Sequence, residues 1–280
     1  MRWSNERKEE LRALWLDGGT ISSIASEMKT TRGSISGQSM RMHLHYATGE
    51  QKPIQPGSDA DLYATTRFLS HVQQAPQFGV LKPGGYQRKL GNRVMKGKWK
   101  GMPIFSLTLE ERATCPRSCK MWLSCYGNNM GRSVRYAHGE ALMDAIYADL
   151  VRLEHLHPRG FVVRLHILGD FFSVEYVQFW RDMLDEFMEL RVFGYTARSS
   201  GNRDLIGWAI EQLRDERWER FAVRTSGAVM GPRTKVIARE YPGDGAITCP
   251  AQTNKTSCCA TCALCWEPAA RNKVIAFLRH

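Results

Sequence analysis

From Arg135 to Gly227 the apolar residues switch repeatedly between a helical and a strand period, and this alternation restricts the fold more than any other feature of the chain. "RYAHGEALMDAIYADLVRLEHL" reads as a helix, "FVVRLHILGDFF" as a β-rich run and "VEYVQFWRDMLDEFMEL" as a helix. "RVFGYTAR" then reads as a strand, "NRDLIGWAIEQLRDERW" as a helix and "RFAVRTSG" as a strand. Strands spaced by single helices imply right-handed crossovers and a parallel sheet, open or closed into a barrel. An eight-unit barrel needs about 250 residues, so the expectation is an α/β fold with a partial, barrel-like (βα) domain. At 280 residues and 43% apolar content, the chain can bury a substantial core and carry a small extra module.

That module is expected over residues 1–46. Ser4 caps a first helix with Leu11, Leu14 and Trp15 at helical spacing, and Gly18-Gly19 stops it. Thr20 caps a second, with Ile21, Ile24, Ala25 and Met28 on one face, and a third runs through "TRGSISGQSMRMHLH" with Ile35 and Met40 buried. Three short helices with a tight second turn form a helix-turn-helix, in which Arg32, Ser34, Gln38 and Arg41 project toward phosphates and base edges. Residues 47–78, rich in Pro, Gly and polar groups, read as a linker, and 79–280 as the cysteine-rich α/β domain.

The formal charge of +11 is unevenly spread. From Leu62 to Leu109 there is no acidic residue, and Arg67, Lys82, Arg88, Lys89, Arg93, Lys96, Lys98 and Lys100 supply eight positive charges. Tyr86 and Trp99 lie among them, a composition suited to a polyanion whose bases stack on aromatic rings. DNA is the expected partner. The N-terminus is charged, and no apolar run reaches the roughly 18 residues of a membrane span, so the expected location is the cytoplasm.

In βα folds ligands gather at the carboxyl ends of the strands. Three polar exits stand there: "HILGDFFS" with Asp170 and Ser173, "GYTARSS" with Tyr195, Thr196 and Arg198, and "VRTSG" with Arg224, Thr225 and Ser226. Asp170, Arg198 and Arg224 are the candidate catalytic or anion-binding groups. His166 reads as a core histidine paired to backbone.

All eight cysteines fall in two short stretches. Reducing cytoplasm favours metal or redox chemistry over structural disulfides. Cys115, Cys119 and Cys125 form C-x3-C-x5-C, and three thiolates can hold three irons of a cubane and leave the fourth open. Cys259, Cys262 and Cys265 form C-x2-C-x2-C with Cys249 as fourth ligand and Cys258 spare, which suits a 4Fe-4S cluster or zinc.

Residues 1–45 resemble the helix-turn-helix of GcrA-type cell-cycle regulators through Trp3, Ser4, Glu6, Arg7, Leu14, Trp15, Gly18, Ser23, Ile24, Ala25, Thr31 and Arg32. "TCPRSCKMWLSCYG", "RLHILGDFFSVEYVQFW", "YTARS" and "CPAQ...CCATCALCW" together resemble the cysteine-rich phage and prophage family typed by gene product eighty-eight, over about Tyr86 to Pro268. The three-cysteine loop is also similar to that of radical-SAM enzymes, which implies an iron–sulfur site on a partial barrel. The second gap here is five residues where those enzymes have two, and no Gly-Gly-Glu strand end is present. The resemblance therefore extends to the cluster and the barrel but stops short of SAM. Together these readings imply a phage-type, nucleic-acid-binding iron–sulfur protein whose substrate, if it is a radical-SAM-like enzyme, is nucleic acid or a nucleotide. The alternatives are a transcriptional regulator with structural or redox-sensing clusters, and a zinc-containing barrel that exchanges bases with Asp170 as nucleophile or acid.

Overall fold

A computed structural model describes residues 3–16, 20–42, 66–122, 124–238 and 245–279. The fold is mixed α/β, with an eight-stranded, mostly parallel sheet and seven α-helices among the described residues. No helix among them is long and apolar enough to cross a membrane.

The N-terminal unit comprises α1 (Asn5–Leu16), α2 (Ile21–Glu27) and α3 (Arg32–Arg41). Ser4 and Thr20 act as caps, their hydroxyls accepting from the amides of Arg7 and Ser23. Leu11, Ile24, Ala25, Met28 and Ile35 form the core of this unit. Gln38 is corrected here: it stands three residues after Ile35 on the same helix face and is 5% exposed, so it points inward. Arg32 is exposed and Ser34 half-buried, while the side chains of Met40 and Arg41 and the glycines at 18 and 19 lie outside the described residues.

Of the expected linker, residues 47–65 lie outside the described residues. From Thr66 onward the chain packs on the larger unit. Strand β1 (Val72–Gln73) pairs in parallel with β4 (Arg135–Tyr136), and the amides of Gly79 and Leu81 both donate to the buried Asp149 carboxylate.

The main sheet begins with β2 (Lys82–Pro83), antiparallel to β3 (Ile104–Ser106). In parallel order there follow β5 (Phe161–Leu165), β6 (Leu190–Thr196), β7 (Phe221–Ser226), β8 (Arg233–Ile237), β10 (Val274–Leu278) and β9 (Ala246–Thr248). Helices α4 (Glu140–Leu156), α5 (Val174–Glu186) and α6 (Leu205–Arg217) connect the first four parallel strands, in the expected alternation.

Strand alternation sorts the side chains into two cores. Phe161, Val163, Leu165, Leu190, Val192, Phe221 and Val223 face α4, α5 and α6. Val162, Phe193, Tyr195 and Ala222 face the other way. That second face is covered by Leu90, Val94 and Trp99 of the basic segment and by the cysteine-rich tail around α7 (Cys259–Cys262). Trp99 stacks on Trp266 with ring centroids 5.3 Å apart, and its Nε1 donates to the Glu219 carbonyl. Trp99 is thus a core residue, corrected from a base-stacking one: its ring is the apolar anchor of a segment whose cations all point outward.

Trp266 joins three layers, touching Trp99 and Phe193. Trp266→Ala is expected to cost about 3 to 5 kcal/mol, read as a lower urea midpoint. An unchanged midpoint would show that the tail is not part of the cooperative core.

Candidate functional site

The loop carrying the first three cysteines leaves the sheet at the carboxyl end of β3, and a buried ion pair fixes its base. Arg135 and Glu111 are 0% and 1% exposed, and the guanidinium bonds both carboxylate oxygens at 2.7 and 3.1 Å. The remaining Arg135 donors reach the carbonyls of Gly127, Met130 and Ser133, while the Thr66 hydroxyl donates to Glu111 Oε1 at 2.6 Å. An ion pair this deeply buried persists only when every lone pair and proton is matched, and here it closes the loop from 111 to 135.

Thr114, directly before Cys115, ties the loop to the strand exits. Its hydroxyl donates to the Glu110 carbonyl at 2.8 Å and accepts from the Asp170 amide at 3.0 Å. Asp170 in turn accepts from the Phe171 amide, the Thr196 hydroxyl and the Ala197 amide at 2.8, 2.6 and 2.7 Å. Arg198 donates to the carbonyls of Phe171 and Thr114 and pairs with Asp204 at 2.9 Å. Gly169 permits this knot: it has φ of +84°, and a Cβ there would stand 2.7 Å from Leu109 Cβ and from Thr114 Oγ1. Burial pushes the Asp170 carboxyl up, against Arg198 and its three hydrogen bonds, which pull it down.

Arg224 is placed elsewhere. It faces the second core and donates to the carbonyls of Cys265, Ala270, Arg271 and Lys273, clamping the cysteine-rich tail. Of the three candidate catalytic residues, the structure therefore brings Asp170 and Arg198 together and sets Arg224 apart. Ser173 caps α5, accepting from the Tyr176 amide, and Thr225 accepts from Arg214. His166 is buried and bonded to the Tyr176 hydroxyl at 3.1 Å in place of backbone, and burial pushes it down to about 3.

None of the eight cysteines is in a disulfide. Cys115 lies within electrostatic reach of Asp170, Cys119 and Cys125; burial pushes it well above the ordinary thiol range, and those three neighbours raise it further. Burial also pushes Cys119 up to about 11. In the tail, Cys249, Cys259, Cys262 and Cys265 surround a cavity of about 20 Å³, the size of one ion or water. Cys258 is outside it, against Gly91 and hydrogen-bonded to Thr261.

Two residues that periodicity did not single out as ligand neighbours face this second group from the sheet. The Tyr195 hydroxyl donates to Cys265 Sγ at 2.8 Å, and Arg164 lies 4.6 Å from the Tyr195 ring, its charge opposing the upward push of burial on Cys259. Both occupy the inward strand positions one residue off the helix-facing set, which was the available signal.

Among the described residues no three His, Cys, Asp or Glu side chains converge as the ligands of one ion do. A cubane holds its thiolates farther apart than a single ion does, so the donor set of the first loop fits a cluster in kind and number. Four thiols lining an ion-sized cavity also fit zinc in kind and number.

The six predicted nucleic-acid cations Arg88, Lys89, Arg93, Lys96, Lys98 and Lys100 are all exposed. Lys98 pairs with Glu219 at 2.8 Å, and Tyr86 is 78% exposed. The backbone of this segment holds the tail: the amides of Cys259 and Ala260 donate to the carbonyls of Lys89 and Leu90, and the Met95 amide donates to the Ala260 carbonyl.

Arg135→Ala should cost about 3 to 5 kcal/mol by stranding the Glu111 carboxylate, and should lower metal content in parallel. Full metal content at unchanged stability would refute the bracing role. In metal-free, reduced protein, the raised thiols stay protonated in the fold where the unfolded chain ionises, from about pH 8.5 upward. Unfolding then releases protons, and Tm should fall between about pH 8.5 and 11. A flat profile would show that these thiols are solvated. Comparison with known proteins returned no matching family model, no matching curated protein and no matching solved structure.

Proposed function

We propose that this chain is a nucleic-acid-binding iron–sulfur protein, with a cluster on Cys115, Cys119 and Cys125 at the mouth of a partial (βα) barrel. The observation that carries the reading is the placement of those three thiols on one braced loop, at the exit of β3 and beside the exits of β5 and β6. Cys119 also lines an open cavity of about 910 Å³ at that mouth, where a bound molecule would meet the cluster. An iron–sulfur cluster supplies one-electron chemistry or a Lewis-acidic iron. The chain's own residues hold the loop, bury the thiols and shape the cavity.

The first four parallel strands and α4 to α6 support the partial barrel. The three N-terminal helices support a helix-turn-helix, with Arg32 exposed on its third helix and Ser34 half-buried beside it. The exposed cations from Arg88 to Lys100 supply a second polyanion surface. The GcrA-type and phage gene product eighty-eight resemblances agree with this assignment, and DNA is the proposed partner.

A second reading, a regulator whose centre is structural, is favoured by one observation at the tail. Cys249, Cys259, Cys262 and Cys265 are packed between the sheet and the basic segment, and their small cavity suits zinc there. Base exchange through Asp170 is disfavoured, because both of its oxygens already accept hydrogen bonds.

Anaerobically purified protein should contain iron and acid-labile sulfide, and Cys115→Ala should lose both from the first centre while Cys262→Ala loses metal from the second. Zinc alone, without sulfide, would overturn the iron–sulfur assignment. Duplex DNA affinity should fall steeply with salt, and removing four of the six basic-segment cations should lower the slope of log K against log salt by about 3 to 4. An unchanged slope would remove that segment from the interface.

A further inference from the structure

The cavity of about 910 Å³ lies between the three-cysteine loop, the exits of β6 and β7, β8 and the residue after β10. None of the candidate residues picked at the strand exits as catalytic lines it. Its charged wall comes instead from Lys120, Lys235 and Arg279 and from Glu211, Arg214 and Asp215.

The acids are already satisfied within the wall. Glu211 accepts from the Ser199 hydroxyl and the Ser200 amide, both at 3.1 Å, and from the Ser200 hydroxyl. Asp215 pairs with Arg271 at 2.8 Å and with Arg214, and Arg214 also donates to the Thr225 hydroxyl at 3.0 Å. Two cations of the wall, Lys120 and Arg279, are left facing the cavity. Lys120 and Arg279 are exposed and have no carboxylate partner among the described residues. Lys120 reaches from the cysteine loop across to the β7 exit, its Nζ 3.5 Å from the place a Cβ on Gly227 would take.

The apolar part of the cavity is as distinctive. Val229 and Met230, in the short connection between β7 and β8, are 85% and 81% exposed at its rim. Met121 lines it from the cysteine loop. Two thioethers and a branched side chain beside Lys120 and Arg279 provide an adaptable, polarisable apolar surface next to an anion site. The volume lies within the roughly 300 to 1,000 Å³ of small-molecule sites.

We propose that this cavity binds a nucleotide, with its phosphate on Lys120 and Arg279 and its base against Met230 and Val229. The inference deepens the reading above, on which it rests only for the neighbouring cluster. The same phosphate chemistry is offered by a free nucleotide and by the 5′ end of a strand, and the test separates them.

Calorimetric titration would use adenosine monophosphate, adenosine, inorganic phosphate and a 5′-phosphorylated trinucleotide, with iron and sulfide measured on every preparation. Adenosine monophosphate should bind at least about tenfold more tightly than adenosine, the loss expected for one charge-assisted contact. Lys120→Ala and Arg279→Ala should each weaken it about tenfold, Met230→Ala should weaken it without affecting phosphate, and Arg152→Ala on α4, which pairs with Asp149 and does not line the cavity, should leave it unchanged. Tighter binding of the trinucleotide with the same Lys120 dependence supports the site and assigns its ligand to a strand end. Iron-free protein that binds adenosine monophosphate through Lys120 also supports the site, while sinking the cluster reading. Equal affinity for adenosine and its monophosphate, or unaltered binding by both cation variants with iron retained, would overturn the proposal.

Discussion

The hydroxyl of Thr114, shared between the Glu110 carbonyl and the Asp170 amide, is the contact on which the mouth of the sheet depends. Through it the cysteine loop is fastened to β5, and through the Asp170 carboxylate to β6. Arg198 closes the ring by reaching back to the Thr114 carbonyl and forward to Asp204, the cap of α6. Such a network is worth having only when complete, because each buried member left unpaired costs about 1 to 3 kcal/mol. Its completeness fixes Cys115 at the edge of a rigid sheet on a loop that otherwise contains almost no regular structure.

The two thiol groups occupy different environments, and the difference follows from the two faces of the strands. The first group sits at an exit, where Cys119 lines a large cavity. The second sits on an inward face, with Arg164 and Tyr195 beside it and Arg224 gripping the tail that carries it. If these thiols hold a metal as thiolates, the guanidinium groups beside them would offset the negative charge. The basic segment closes over this second group by backbone hydrogen bonds, so its outward cations and the tail form one body.

The alternation of helix and strand was legible because period 2 and period 3.6 leave different apolar patterns, and α4 to α6 with β5 to β7 follow from it. The grouping of Cys249, Cys259, Cys262 and Cys265, with Cys258 outside, was legible from spacing alone. Strands β8, β9 and β10 were not read, since each is short and takes its place from neighbours distant in sequence. The inward turns of Gln38 and Trp99 were missed for a related reason: a polar or aromatic residue type suggests a partner, whereas the face it occupies decides its burial. Glu111 and Arg135 belong to no motif, Thr114 opens the cysteine motif without any sign in it of the contacts it makes, and Lys120 and Arg279 come from distant parts of the chain that only the fold assembles.

Electron paramagnetic resonance of anaerobically reduced protein tests the central assignment most directly, with the unmodified chain compared with a Cys115→Ala, Cys119→Ala, Cys125→Ala variant. The iron–sulfur reading predicts a low-temperature cluster signal in the unmodified chain that the triple variant loses, and that shifts in the unmodified chain when adenosine monophosphate fills the adjoining cavity. A spectrum without any cluster signal, or one that survives removal of all three thiols unchanged, would contradict it.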